Sequence, residues 1–291
     1  MAGLVGWSQW TSVPPHRLLP DRYTSLKVLE KEQVSPDTFR LRLETERQQS
    51  KEYPVMSSVY IKDDSIQVMR PYTPINPDPY QDGHVDLLIK RYENGSVSRM
   101  LSKADLHDVI HVRGPMIEYD YQPNSRQEIG MIAGGTGITP MYQLIQHILH
   151  NPADKTKMWL IYGSQSEKDI LLREELDKLA AENKDRLRVM YLVDRPSKDW
   201  EGQVGYVSEG MVKSLLGTNQ PVDPIAVNGG NSNSNNNSNN SDSISRLVFV
   251  CGPDKMLAHV CGEKARDFSQ GKVSGVLGRL GLTSREVWKL Q

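Results

Sequence analysis

The stretch "GMIAGGTGITPMYQLI", Gly130 to Ile145, carries an apolar run into a glycine cluster and continues as a helix-like pattern. Strand, tight turn and helix in that order usually aim backbone N–H groups at an anion, most often a phosphate. A phosphate-transferring loop of the Walker type needs a lysine directly after its second glycine. Here Thr136 follows Gly135, and the next lysine is Lys155. The dinucleotide pattern G-x-G-x-x-G fits Gly135 and Gly137, but Pro140 stands where a third glycine belongs. Thr139 and Pro140 read as N-cap and first helical residue, because proline lacks only an N–H that has no partner there. Spacing alone leaves two readings open: a nucleotide pyrophosphate site, or a structural strand-to-helix turn.

Two further stretches carry suitable residue types. "CGPDKM", Cys251 to Met256, follows the last apolar strand, and ligands of open α/β sheets gather at the carboxyl ends of strands. Cys251, Gly252, Pro253 and Met256 should therefore share a rim with Gly134–Gly137. Taken alone, Cys251 is equally a small buried hydrophobe, and Cys261 reads as a core residue within a helix. "RPYTPIN", Arg70 to Asn76, alternates so that Arg70, Tyr72 and Pro74 share one face of a strand. An arginine suits a phosphate and an aromatic ring suits a flat cofactor, although the segment is also an ordinary strand leading into a proline turn.

The elements that must hold these residues change character near the middle of the chain. From residue 24 to about 121 the pattern is one of short strands, "SLKVLEK", "TFRLRLE", "SSVYIK", "SIQVMR" and "HVDLLIKRY". They are separated by turn signals and predict an antiparallel barrel. After Gln127 the strands "EIGMIAG", "KMWLIYG", "LRVMYLV" and "RLVFVCG" are almost wholly apolar, as when both sheet faces are covered. Helical patterns separate them, which predicts a doubly wound parallel sheet. The expected organisation is an extension over 1–23, a barrel over 24–125 and an α/β domain over 126–291. The Asn-rich tract at 228–243 has no apolar residue and is expected to be a disordered insertion.

Composition narrows the classes. With 35 basic and 36 acidic residues there is no basic field for non-specific nucleic-acid binding. Two cysteines cannot make a disulfide framework or a cysteine zinc site. No apolar run reaches the ~18 residues of a membrane span, so membrane association is expected only through an anchor absent from this sequence. "HDVIH", His107 to His111, imitates a zinc-protease helix but has Asp108 in place of the glutamate and lies in a strand-like stretch. The charged run from Lys168 to Ala181 reads as an amphipathic helix with Leu171, Leu172, Leu176 and Leu179 inward. Asn94-Gly95-Ser96 is formally a glycosylation sequon.

Taken in order, Arg70-Pro71-Tyr72-Thr73, "GGTGITPM" and "CGPDKM" resemble the NADH–cytochrome b5 reductase family of the ferredoxin–NADP reductase superfamily, as do "YGSQSEKDILLREELDKL" and "YLVDRP". The resemblance covers about residues 24–291. It implies an N-terminal FAD-binding barrel, a C-terminal NADH-binding α/β domain, and an NADH-dependent reductase. A nicotinamide gives up two electrons together and a haem iron takes one, and the flavin bridges that mismatch by stacking against the nicotinamide.

By position, the resemblance implies that Arg70 and Pro71 hold the FAD pyrophosphate, with Tyr72 along the ribityl and diphosphate region and Thr73 at the isoalloxazine. Lys90 and the loop Gly95, Ser96, Val97 and Ser98 take the other side of the FAD. Gly135, Thr136, Gly137, Thr139 and Pro140 receive NADH, and Asp194 accepts hydrogen bonds from its adenosine ribose. A carboxylate there disfavours a 2'-phosphate. Cys251, with Gly252, Pro253 and Met256, sits beside the nicotinamide, and Trp288 occupies the family's C-terminal aromatic position. Thr73 and Cys251 are the residues implied at the reacting rings.

Two departures stand out. Ile117, in "RGPMIEYDY", replaces a usual glycine and could narrow the approach to the flavin, and the C-terminus reads "VWKLQ" where a phenylalanine is usual. The form "GPMIEY" resembles a fungal mitochondrial branch implicated in attaching haem to cytochrome c. The expected acceptor is a haem protein, either cytochrome c or its apoprotein with haem, or cytochrome b5. The expected location is mitochondrial, facing the intermembrane space, with the cytoplasmic face of the endoplasmic reticulum or outer mitochondrial membrane as the alternative. A weakly catalytic assembly factor is the alternative outside enzymology.

Overall fold

The computed structural model describes residues 16–63, 65–216 and 245–290, so the Asn-rich tract at 228–243 lies outside the described residues. The chain divides into two compact units, Met1–Tyr119 and Asp120–Gln291.

In the first unit, β1 (Thr24–Ser35), β2 (Thr38–Glu44), β3 (Ser57–Asp63), β4 (Val68–Tyr72), α1 (Pro79–Asp82), β5 (His84–Lys90), α2 (Ser96–Ser102) and β6 (Val109–Ile117) follow in sequence. The strands form one sheet in the order β4-β3-β6-β1-β2-β5, and every pairing is antiparallel. The two end strands meet through a bridge between Pro74 and Leu87 and a hydrogen bond from Ile75 N–H to the Asp86 carbonyl, closing the sheet into a barrel. Closure removes the unpaired edges that would otherwise template association. Alternation sets the inside: Thr24, Leu26 and Val28 are buried while Ser25, Lys27 and Leu29 face out. The core gathers Leu26, Val28, Phe39, Leu41, Val59, Ile61, Leu87 and Ile89 with Val97 and Leu101 from α2. β4 begins at Val68, three residues later than "SIQVMR" predicts, because Ser65, Ile66 and Gln67 form the turn and Gln67 takes a positive φ of 55°.

The second unit contains β7 (Glu128–Gly134), α3 (Ile138–His150), β8 (Lys157–Ser164), α4 (Arg173–Glu182), β9 (Leu187–Val193), β10 (Gln203–Val204), α5 (Glu209–Leu215), β11 (Arg246–Cys251), α6 (Asp254–Val260), α7 (Gly275–Arg279) and β12 (Val287–Lys289). All pairings are parallel, in the order β10-β9-β8-β7-β11-β12. The chain runs outward from β7 to β10, then returns to lay β11 and β12 on the other side of β7. The topological switch therefore falls between β7 and β11, the place where open α/β sheets bind ligands. Every residue of β7 is buried, which explains its continuous apolar pattern. One face packs Trp159, Ile161, Val248 and Val250 with Val212, Leu215, Val260 and Leu277 from α5, α6 and α7. Gly130 is a packing residue, because a Cβ there would lie 2.2 Å from the Trp159 ring.

The helix expected from Lys168 to Ala181 is shorter. Glu167–Asp169 make a single 3-10 turn, Leu172 takes a left-handed φ of 56°, and α4 starts only at Arg173. Leu171 and Leu176 are buried as expected, but Leu171 enters the core from the connection rather than from the helix. Cys261 is fully buried and lies just past the end of α6, not within it.

Candidate functional site

In the first unit, strand register puts Arg70 opposite Ile61 and Tyr72 opposite Val59, so both share one face of β4. Tyr72 leans on the barrel core while Arg70 is exposed, its Nη1 donating to the Met69 carbonyl at 2.8 Å. Burial pushes the Tyr72 phenol well above its ordinary value, and the nearby Arg70 charge opposes that rise. Tyr72 is thus a neutral hydrogen-bond donor. Pro71 is half-buried and Thr73 is buried at the end of the strand, just before the Pro74 bridge.

Helix α2 packs against β3 and β4, and Tyr92, in the turn that leads into it, lies near Tyr72. Its N-cap is Gly95, with no side-chain capping bond, and the first N–H groups of a helix have no partner within it. A Cβ on Gly95 would lie 2.6 Å from Ser98 Oγ and 3.1 Å from the Tyr92 Cβ, so a side chain there would have to displace the Ser98 hydroxyl. Ser98 works inward: its hydroxyl donates to the Gly95 carbonyl and accepts the Tyr92 N–H, both at 3.2 Å. Val97 is in the barrel core, and Ser96 is half-buried at the first helical position. Lys90 pairs with Asp37 at 2.9 Å from the end of β5. An exposed guanidinium, a neutral phenol and a glycine-capped helix start on one face are the groups that hold a diphosphate. They fit FAD.

Tyr92 is a residue the sequence reading did not single out. It is exposed, and its phenol lies close enough to Tyr72 to raise that group further. An exposed ring beside an arginine is suited to stacking on a flat heterocycle. Its aromatic type next to the glycine turn was the available signal.

In the second unit, Gly135–Gly137 form one 3-10 turn that runs straight into α3. This moves the helix start: α3 begins at Ile138 with Gly137 as its N-cap, so Thr139 is not the cap and Pro140 is the third helical residue. The Thr139 hydroxyl instead donates to the Thr136 carbonyl at 3.1 Å. Proline remains tolerated, since its missing N–H still falls in the first turn. Gly135 has φ 55°, and a Cβ built there would meet nothing within 4 Å.

The turn after β11 presses against this loop. Ala133 and Cys251 are register partners, and a Cβ on Gly137 would lie 2.3 Å from the Cys251 carbonyl. A Cβ on Gly134 would lie 2.4 Å from Met256 Sδ, and one on Gly252 would lie 2.9 Å from the same sulfur. Cys251, Gly252, Pro253 and Met256 thus form the second wall of a crevice whose first wall is Gly134–Gly137. Cys251 is buried. Asp194 follows β9 at the same carboxyl rim, two strands from β7 or roughly 10 Å at ordinary strand spacing. Its N–H donates to the Ser164 carbonyl while its side chain is exposed. Trp288 is half-buried on β12 opposite Phe249 of β11. Unpartnered N–H groups, an open left-handed glycine and a carboxylate about a nucleotide's half-length away fit a dinucleotide.

The other sequence candidates lie elsewhere. Ile117 is exposed at the last position of β6, opposite Ser57. His107 has φ 72° in the turn before β6 and His111 faces outward on the strand, so the two histidines do not share a helix face. Among the described residues, no helix is long and apolar enough to cross a membrane.

A closed antiparallel barrel carrying a diphosphate-binding face, followed by a parallel sheet with a glycine crevice at its switch point, defines a two-domain flavin- and nicotinamide-dependent oxidoreductase. Residues 25–121 match the oxidoreductase FAD-binding domain and residues 131–262 the oxidoreductase NAD-binding domain. The chain is 35% identical to NADH-cytochrome b5 reductase 2 of Scheffersomyces stipitis over 92% of its own length and 84% of that protein. It is 43% identical to an NADH-cytochrome b5 reductase-like protein of Arabidopsis thaliana over 76% of the chain, a match spanning 60% of the plant protein. The cytochrome b5 reductase domain of Ulva prolifera nitrate reductase superposes with a TM-score of 0.74 at 28% identity, covering 94% of this chain and 99% of that domain. The chain belongs to the NADH–cytochrome b5 reductase family, and its cofactors are FAD and NADH.

Proposed function

We propose that this chain draws electrons from NADH through its bound FAD and passes them singly to a haem protein, in mitochondria on the intermembrane-space side. The observation that carries the redox part is the apposition of Gly137 with the Cys251 carbonyl, which makes one crevice from two separated sequence motifs. FAD supplies the ability to accept two electrons together and release them one at a time. The protein's residues do the rest by binding and orienting. Arg70 neutralises the flavin diphosphate, Tyr72 donates to it as a neutral phenol, and the start of α2 offers N–H groups on the other side. The N–H groups of Gly135, Thr136 and Gly137 receive the NADH pyrophosphate, and Asp194 accepts from the adenosine ribose. The buried Cys251 excludes water beside the nicotinamide, and Thr73 lies at the flavin.

The name shared by the fungal relatives supports a cytochrome b5-type acceptor. The segment Gly114–Tyr119, "GPMIEY", supports the narrower reading, in which the electrons reduce haem during its attachment to cytochrome c. NADH-driven reduction of ferric cytochrome b5, cytochrome c and free haem, measured side by side on holoprotein, separates them. Faster reduction of cytochrome b5 than of the other two assigns the general acceptor. Preferential reduction of free haem or cytochrome c assigns the narrower role, and failure with every haem acceptor overturns both.

A further inference from the structure

The phenol of Tyr162 stands on β8 in the middle of the parallel sheet, fully buried, and neither the glycine turn nor the Cys251 turn contains it. Its hydroxyl donates to the Gly135 carbonyl at 3.0 Å and accepts the Leu171 N–H at 3.2 Å. Both ends of a buried hydroxyl are thereby satisfied, on two different loops of the carboxyl rim. The Gly135 carbonyl also accepts the Ile138 N–H that opens α3.

Gly135 has no side chain and sits at φ 55°, so its own sterics do little to fix the peptide that follows, and the orientation of that peptide depends on what its carbonyl bonds, the Ile138 N–H and the Tyr162 hydroxyl. A trans peptide holds its C=O and N–H on opposite sides. Turning the Gly135 carbonyl onto Tyr162 therefore turns the Thr136 N–H the other way, out of the helix start and away from the sheet. That N–H is among the donors a helix N-terminus offers to an anion.

We propose that Tyr162 is a positioning residue for the nicotinamide nucleotide, fixing the Gly135–Thr136 peptide so that the Thr136 N–H faces the pyrophosphate. This rests on the pyrophosphate placement proposed above. Burial pushes the phenol far above its ordinary value, so the donor stays protonated throughout the working range of pH. The bond to Leu171, which precedes the left-handed Leu172 and α4, ties the same hydroxyl to a second rim loop and keeps the ring from withdrawing.

The test uses FAD-loaded Tyr162→Phe, with Tyr191→Phe and Gly135→Ala beside it. Tyr191 is on the neighbouring strand β9 and donates to Asp177 at 2.8 Å, so its variant loses a comparable hydrogen bond away from the glycine turn. Gly135→Ala places a methyl group in open space at the turn itself, on a left-handed backbone that strains any side chain. Binding of ADP-ribose is measured by calorimetry, and flavin reduction by NADH is followed by rapid mixing over a range of NADH concentrations. Tyr162→Phe should weaken ADP-ribose about five- to tenfold and raise the half-saturating NADH concentration equally. The limiting rate of flavin reduction should stay within twofold, and Tyr191→Phe should leave both affinities unchanged. Equal weakening by Tyr191→Phe would show a general loosening of the sheet and overturn the proposal. Unchanged affinity in Tyr162→Phe with weakened affinity in Gly135→Ala would overturn it while sparing the pyrophosphate placement. Unchanged affinity in both would overturn the two together.

Discussion

Gly137 packs so closely against Cys251 that a Cβ added to the glycine would lie 2.3 Å from the cysteine's carbonyl oxygen. The atom in the way is backbone, so neither turn can give without shifting a strand end. Gly137→Ala should therefore separate the two walls of the crevice. Overpacking of this kind costs about 1–3 kcal/mol, and the melting temperature should fall by several degrees. NADH affinity should fall at least as steeply, and FAD content should be retained. Thermal unfolding together with ADP-ribose titration checks both.

Arg70 is the charged group of the flavin face. A charge-assisted hydrogen bond is worth about 1.5–3 kcal/mol, so Arg70→Ala should lower FAD affinity roughly tenfold or more. The barrel should remain folded, because the Arg70 side chain is exposed and donates to the carbonyl of the adjacent Met69. Flavin occupancy after dialysis, with circular dichroism as the control, decides the matter. Full retention of FAD would remove Arg70 from the site.

Asp194 has an exposed carboxylate at the rim, with Arg195 turned to Gln165 at 3.0 Å. NADPH would bring a 2'-phosphate against that carboxylate, while NADH gains hydrogen bonds. Asp194→Ser should reduce the NADH-over-NADPH ratio of kcat/KM by on the order of a hundredfold if a few kcal/mol of discrimination is lost. Rapid-mixing flavin reduction with each nucleotide measures this without the acceptor. An unchanged ratio would leave Asp194 as a turn residue only.

Asp154 in the second unit gives a pH-dependent prediction. Burial alone would raise its carboxyl, but hydrogen bonds from Tyr121 and from Thr156 outweigh burial and hold it below the usual carboxylate range. The unfolded chain thus binds the proton more readily than the folded one. The stabilisation is complete above the unfolded value of about 4 and is lost as pH falls through the lower folded value. Tyr121→Phe should cost about 1.5–3 kcal/mol at neutral pH, the range for hydrogen bonds to charged groups. The gap from the parent should shrink as pH falls below about 4. Denaturant unfolding across pH reads it, and a constant gap would contradict the assignment.

Much of this molecule was legible because its two halves obey different periodicities. Short strands such as "SLKVLEK" parted by turn signals gave the antiparallel barrel, and the unbroken apolar run "EIGMIAG" gave a strand covered on both faces. The meeting of the two turns followed from parallel topology, which places the ends of β7 and β11 on one rim. Local capping was misjudged at Thr139, because a 3-10 turn over Gly135–Gly137 consumes the residues that would otherwise precede the cap. The start of α4 was placed too early, since nothing in "KDILLREEL" announces that Leu172 goes left-handed. Tyr162 was invisible for a different reason: within an apolar strand its ring reads as packing, and only tertiary structure brings its hydroxyl to Gly135.

The most direct measurement is anaerobic rapid mixing of the FAD-loaded protein with NADH, followed by a ferric haem protein. NADH should bleach the flavin absorbance in a saturable step far faster than NADPH does. Adding ferric cytochrome b5 or cytochrome c should then restore the flavin absorbance with two haems reduced per NADH consumed. A protein that binds FAD but is not bleached by NADH, or that bleaches and reduces no haem, would contradict the proposed function.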